Sequence, residues 1–332
     1  MLSRKEFIKN SLAGMVATMF GGCDSRVRWE RGVYRKQLTS RVAILGARNY
    51  QASLKEMVIR GITLFNLNVK GKRVLLKPNL VELSSDGVIN THPAVVAAAI
   101  DSFRSLGAKE VIVAEGPGHR RDNQYLLNAS GIYDVIKERG ASYVDLNTDD
   151  VRFTMLRSRF TALNGLYLPE TLFNADLLVS MPKLKTHHWV GVTLSLKNMF
   201  GIIPGAVYGW PKNVLHWAGI HESILDINSS LPIPQFAIVD GIVGMEGNGP
   251  IQGQAKASGI LILGDDLVAV DATAARLMNI EPSKILYLEK AGDFLGNLAN
   301  DKILQIAEPF ERFQQDFRVI ENFEYLKALT GY

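Results

Sequence analysis

Short uninterrupted apolar runs, rich in β-branched residues, recur along the chain at 42–45, 74–76, 111–114, 177–179, 236–239 and 260–263. Runs of this kind suit strands buried on both faces of a parallel sheet. Between them the apolar spacing changes to three and four, the period of a helix face. One such stretch starts after Thr91 with Pro93 in its first turn, buries Val96, Ile100 and Phe103, and stops before Gly107. Others span 54–65, 125–138, 214–228 and 268–278. The alternation predicts an α/β fold, a doubly wound, mostly parallel sheet with helices on both faces, in one domain or two lobes. Residues 143–168 break the pattern and read as short strands joined by turns, a hairpin or a junction between lobes.

The start of the chain changes this picture. Arg4, Lys5 and Lys9 precede an apolar run from Ser11 to Gly22 that holds Leu12, Met15, Val16, Met19 and Phe20. The run is shorter than the ~20 residues that span a bilayer as a helix. A basic opening, a short apolar stretch and small residues before a break describe a signal peptide, here residues 1–22. The break falls at Phe20-Gly21-Gly22-Cys23, which resembles a lipoprotein cleavage site with Cys23 as the lipid-bearing new N-terminus. The opening is similar to a twin-arginine signal with lysine in the second place. The expectation is an exported protein of residues 23–332, held to the extracytoplasmic side of a membrane, in a periplasm or at a cell surface, by acyl chains that each contribute ~0.8 kcal/mol per buried CH₂.

Composition narrows the chemistry. Cys23 is the single cysteine, so the mature chain forms no internal disulfide and holds no cysteine-ligated iron–sulfur cluster. Any metal relies on other side chains. The net charge of +4 falls to +2 once residues 1–22 are set aside, and no basic stripe marks a nucleic-acid binder. No G-x-G-x-x-G or G-x-x-x-x-G-K-[ST] pattern occurs, which argues against NAD and ATP, and there is no G-x-S-x-G nucleophile elbow.

The segments that follow the predicted strands carry most of the chemistry. They are Lys77-Pro78-Asn79, Glu115-Gly116-Pro117-Gly118-His119-Arg120-Arg121, Ser180 to His188 with Lys183, Lys185, His187 and His188, Asp240-Gly241 leading to Glu246, and Gly264-Asp265-Asp266. Ligands in open α/β sheets bind beyond the carboxyl ends of the strands, so these segments point to one site. Lysine and asparagine bind anionic oxygens, and imidazole serves as metal ligand or proton carrier. His119 lies in a Gly-Pro-Gly-His loop. His187 and His188 point in different directions on any regular element, so one of the pair faces the site. His216, Ile220 and Ile224 share a helical stripe, which puts His216 either in the core or in the site. Lys197 sits in an apolar stretch where an unused charge is costly. Helical spacing through Val190, Leu194 and Lys197 places it one helix face from His187. Asp271 opens a predicted helix, where a structural role is as reasonable as a functional one.

Taken together these residues resemble the domain-of-unknown-function-362 family. The resemblance is carried by Lys77-Pro78-Asn79-Leu80-Val81, Thr91-His92-Pro93, Glu115-Gly116-Pro117-Gly118, Pro182 to His188, Leu196-Lys197-Asn198-Met199-Phe200-Gly201, Val239-Asp240-Gly241 with Glu246-Gly247-Asn248-Gly249-Pro250, and Gly264 to Asp271. A more distant resemblance, to the nickel-pincer enzyme lactate racemase, rests on Gly118-His119-Arg120 and on His187, Gly191, Thr193 and Lys197. It implies His119 and His187 as an acid/base pair, Lys197 as the attachment point of the cofactor, and His187 and His216 as metal ligands. Two features of that family's pattern differ here: Ser195-Leu196 replaces the Gly-Gly before the lysine, and its Asp-x-x-Arg is absent.

The expectation is an enzyme with a metal or organometallic cofactor, of racemase or oxidoreductase type, that moves a proton or hydride on a small polar or anionic molecule. His119, His187 and Lys197 are its catalytic residues, and Lys77, Asn79, Lys185, His188, Asp240 and Glu246 hold the cofactor. The alternatives are a non-catalytic lipoprotein that binds a metal or small ligand, and an accessory subunit of a membrane redox complex.

Overall fold

The computed structural model describes residues 27–83, 88–118 and 122–328. The proposed signal peptide, Cys23 and His119 lie outside the described residues.

The apolar runs all form strands. Ser40–Gly46 (β1), Arg73–Pro78 (β2), Glu110–Glu115 (β3), Ser142–Asp145 (β4), Leu177–Met181 (β7), Lys183–His187 (β8), Gly191–Thr193 (β9), Gln235–Glu246 (β10), Gln254–Gly264 (β11) and Ile303–Ala307 (β12) join in one ten-stranded sheet. Its order is β12-β1-β11-β10-β7-β2-β3-β4, with β8 paired to β10 and β9 to β8. Most pairs are parallel; β1–β11, β10–β11 and β8–β9 are antiparallel. The sequence at 143–168 supplies β4 and a separate two-stranded hairpin of Val151–Met155 (β5) and Gly165–Pro169 (β6).

Helices cover both faces, as the two-sided apolar strands require. On one face Leu54–Thr63 (α1), Pro93–Ser105 (α2), Asn123–Ala129 (α3) and Ile132–Glu138 (α4) pack Val58, Val96, Ile100, Phe103, Leu126 and Ile136 onto Val74, Leu76, Val111 and Val113. On the other, Ile220–Ser229 (α5), Leu267–Leu277 (α6) and Leu286–Phe294 (α7) pack Ile224, Val270, Ala274 and Leu288 onto Val42, Ile44 and Leu178. The stretches 125–138 and 214–228 are each broken in two. Gly131 (φ 75°) and Gly219 (φ 102°) sit at the breaks, in backbone that glycine adopts without strain.

Strand order locates the site. From β2 the chain moves outward through β3 to β4, then returns to lay β7 on the opposite side of β2. That reversal between β2 and β7 is a topological switch point, where the connections at the carboxyl ends diverge and leave a crevice.

Candidate functional site

A cavity of about 210 Å³ opens at this crevice. Lys77 and Asn79 reach it from the end of β2, Glu115 and Gly116 from the end of β3, and Lys185 and His187 from β8. The segment 183–187 is a strand rather than the loop its position after β7 suggested, so residues 183, 185 and 187 share one face. Lys197 arrives differently from its sequence expectation. No helix runs through 190–197; β8 and β9 form a hairpin that pairs Lys185 with Thr193 and His187 with Gly191, and one helical turn, Ser195–Asn198, then presents Lys197. Asp271, on α6, accepts the backbone N–H groups of Ser195 (2.7 Å) and Leu196 (2.9 Å) and so anchors that turn. Its role toward the cavity is positioning.

Among the described residues, four lysines therefore line one cavity with one carboxylate. Lys77 Nζ contacts Glu115 at 2.7 Å, and both side chains are almost wholly buried. Glu115 also accepts from the backbone N–H groups of Leu80 and Gly116, so it is fully committed. Gly201 packs against this pair so closely that a Cβ there would meet both charged groups, which explains glycine at an ordinary φ. Lys185 donates only to the carbonyls of Ile89 (2.8 Å) and Pro250 (3.4 Å). Lys212, which sequence reasoning missed, donates to the carbonyls of Gly116, Phe200 and Gly201. Lys197 Nζ lies 4.3 Å from the centre of the Phe200 ring and has no hydrogen-bond partner among the described residues.

Burial pushes these amines down, and they push one another down further. Burial first, then Lys77, brings Lys197 to about 8. Burial outweighs Glu115 in lowering Lys212 to about 7, although its three carbonyl acceptors favour the ammonium. Lys185 falls well below its usual range through burial, Lys183 and Lys197. Among the described residues the cavity is a cluster of basic groups with Glu115 as its one carboxylate. Asn79 Oδ1 and Thr193 Oγ1 also line it, buried and without hydrogen-bond partners, which is uncommon for polar atoms inside a fold.

Two imidazoles face the same space with opposite hydrogen-bonding character. His187 Nδ1 accepts the backbone N–H of Trp189 at 3.0 Å. Burial first, then Lys197, holds the ring well below its usual range, so it is neutral and carries its proton on Nε2. His216 Nδ1 lies 3.2 Å from the Lys212 carbonyl, to which it donates, leaving a lone pair on Nε2. Its proton affinity is lowered mainly by burial. His187 is thus a hydrogen-bond donor and His216 an acceptor, on groups the sequence had assigned to metal. His188 also lines the cavity, its Nδ1 2.6 Å from the Gly249 carbonyl. Its neighbour Trp189, which also lines the cavity, exposes 56% of its surface.

Of the residues expected to bind a cofactor, Lys77, Asn79, Lys185 and His188 meet here, and Asp240 and Glu246 do not. Strand β10 runs on past 239, which places Asp240 inside the sheet. It is wholly buried, bonded to Lys183 Nζ (2.6 Å), Tyr50 Oη (3.0 Å) and the His92 N–H (2.9 Å). Glu246 is tied to Arg318 and Lys256 at the strand's far end. Gly118, the last described residue before His119, lines the cavity. A bare metal ion fits this setting poorly. Among the described residues no three His, Cys, Asp or Glu side chains group to hold one, and the lysines around His187 and His216 repel a dication.

Residues 74–276 match the domain of unknown function DUF362. A thylakoid-associated protein of Synechocystis sp. is 30% identical over 259 residues, covering 74% of this chain and 76% of its own. Among solved structures, the lactate racemase apoprotein of Thermoanaerobacterium thermosaccharolyticum aligns with a TM-score of 0.39 and 14% identity, over 62% of this chain and 51% of its own. A Thermotoga maritima protein aligns with a TM-score of 0.39 and 14% identity, over 70% of this chain and 60% of its own.

Proposed function

The chain belongs to the DUF362 family, and from its cavity we propose that it binds a small anion, of carboxylate or phosphate type, and moves a proton on it. The observation that carries this reading is four lysines facing one carboxylate that is already fully bonded. Among the described residues, Lys185 and Lys212 donate to carbonyl oxygens alone. Holding such groups without counter-ions is expensive, and an anion that completes them recovers that cost on binding. At about 210 Å³ the space suits a small metabolite. His187 Nε2–H donates to an oxygen of the bound molecule, and the His216 Nε2 lone pair takes a proton. Lys197, at about 8, gives or takes a second near neutral pH. A transition metal enters this reading only within an anionic cofactor.

Thermal unfolding in millimolar phosphate against chloride of equal ionic strength tests it. Phosphate is expected to raise the midpoint in a saturable way, as binding to the native state alone requires. Equal midpoints in the two salts over that range contradict it.

The same proposal sets the protein outside the cytoplasm, anchored by acyl chains on Cys23. The basic opening with its short apolar run supports it, and a relative described as thylakoid-associated is compatible with membrane association alone. Among the described residues no helix is long and apolar enough to cross a membrane. The described chain opens at Val27, and Arg28 lines a groove with His221, Glu222 and Leu286, close in sequence to exposed Trp217. Indole rings favour membrane interfaces. Intact mass of protein from the membrane fraction is expected to show an acylated chain beginning at Cys23; a chain that keeps residues 1–22 contradicts it.

A further inference from the structure

The four cavity lysines are not equivalent. Three donate to fixed acceptors: Lys77 to Glu115 and Asn198, Lys185 to two carbonyls, and Lys212 to three. An amine tied in this way must give up those hydrogen bonds before it can turn onto a carbonyl carbon. Among the described residues Lys197 alone of the four has no acceptor, and its nitrogen stands over the Phe200 ring with Thr193 and Lys77 sharing its cavity. Its own helical turn is fixed by Asp271, so the nitrogen is presented from a rigid support. The hydrogen-bonding character of the two histidines complements an amine addition: His187 offers a proton toward an oxygen, and His216 offers a lone pair.

We propose that Lys197 is a nucleophile that forms a Schiff base with a small anionic aldehyde or ketone whose charge is held by Lys185, Lys212 and Lys77. The inference rests on the anion-binding reading and names its substrate class. The lone pair of the Lys197 amine attacks the carbonyl carbon, and the C–N bond forms as the C=O π pair moves to oxygen. That oxygen takes a proton from His187 Nε2, and His216 Nε2 accepts one from the new ammonium, giving a neutral carbinolamine. The hydroxyl then leaves as water with a proton returned by His216, and the nitrogen lone pair closes the C=N bond. The product is a protonated imine, whose remaining proton passes back to His187. Overall, amine and carbonyl give imine and water, both histidines return to their starting state, and nothing is oxidised or reduced. Desolvation and the neighbouring cation supply free amine near neutral pH, the condition under which lysine acts as a nucleophile.

Glyoxylate and sodium cyanoborohydride test this on the full-length protein at pH 7.5. Reduction of the imine adds the mass of glyoxylic acid less one oxygen to the lysine. The Lys197 peptide is expected to label on the order of tenfold faster than surface lysines. Phosphate is expected to slow that labelling, and Lys197→Arg, which keeps the charge, to remove it. Glycolaldehyde, of similar size without the carboxylate, is expected to label Lys197 no faster than the surface lysines. Label spread evenly over surface lysines, or equal Lys197 labelling by the two aldehydes, overturns the proposal. The phosphate-dependent rise in unfolding midpoint separates the two readings. If it persists without Lys197 labelling, the Schiff base falls and anion binding stands; if it too is absent, both fall.

Discussion

Replacing Glu115 by alanine is expected to destabilise the protein by about 3–5 kcal/mol, the usual cost of removing one partner from a buried ion pair. The carboxylate is 1% exposed and takes hydrogen bonds from Lys77 Nζ and from the backbone of Leu80 and Gly116. Its loss leaves two buried N–H groups unsatisfied. It also leaves an ammonium in a cavity that already holds Lys185, Lys197 and Lys212. Urea denaturation measures the loss. Replacing both partners, as in Lys77→Met with Glu115→Gln, removes the orphaned charge and is expected to cost clearly less than Glu115→Ala alone. A single variant within 1 kcal/mol of the parent would show that the pair is not what offsets the burial of Lys77.

Lys185→Met is expected to move stability and binding in opposite directions. Lys185 is fully buried, and its ammonium has two carbonyls for company and no carboxylate. Burial and the charges of Lys183 and Lys197 work against it. Methionine matches its length and removes an unpaired cation, so stability is expected to hold or rise. Phosphate affinity is expected to fall by about ten- to a hundredfold, the worth of one charge-assisted hydrogen bond. Calorimetric titration beside urea denaturation reads both. A variant that loses several kcal/mol while binding phosphate as before would assign Lys185 to the fold instead.

The sheet was legible where composition alone decides. Each run from 42–45 to 260–263 is a strand, because uninterrupted β-branched residues have few other ways to be buried. Direction was less legible. The runs in β10 and β11 look like any parallel strand, yet they form a long antiparallel hairpin, since an apolar run does not record which way its neighbour points. Lys77, Asn79, Lys185 and His187 were found because they follow strands at the switch point. Asp240 also follows an apolar run, but β10 continues past it, and the parallel register sets it opposite Lys183, which neutralises it. Lys212 offered no sequence cue. It reaches Gly116 across 96 positions from a left-handed backbone (φ 66°), a conformation few non-glycine residues adopt. Lys197 was placed in the site by helical spacing, yet a hairpin brings it there.

The most direct test is proton uptake on anion binding at pH 8. Free Lys197 sits near 8 and Lys185 and Lys212 are also depressed, so a bound phosphate that offsets their mutual repulsion raises all three. A raised affinity draws protons from solution, because amines part-neutral before binding become ammonium after it. Titration of phosphate by calorimetry in two buffers of different ionisation enthalpy is expected to show net uptake, reduced in Lys197→Met. Binding without uptake, or no binding in the millimolar range, would contradict an anion site built on these lysines.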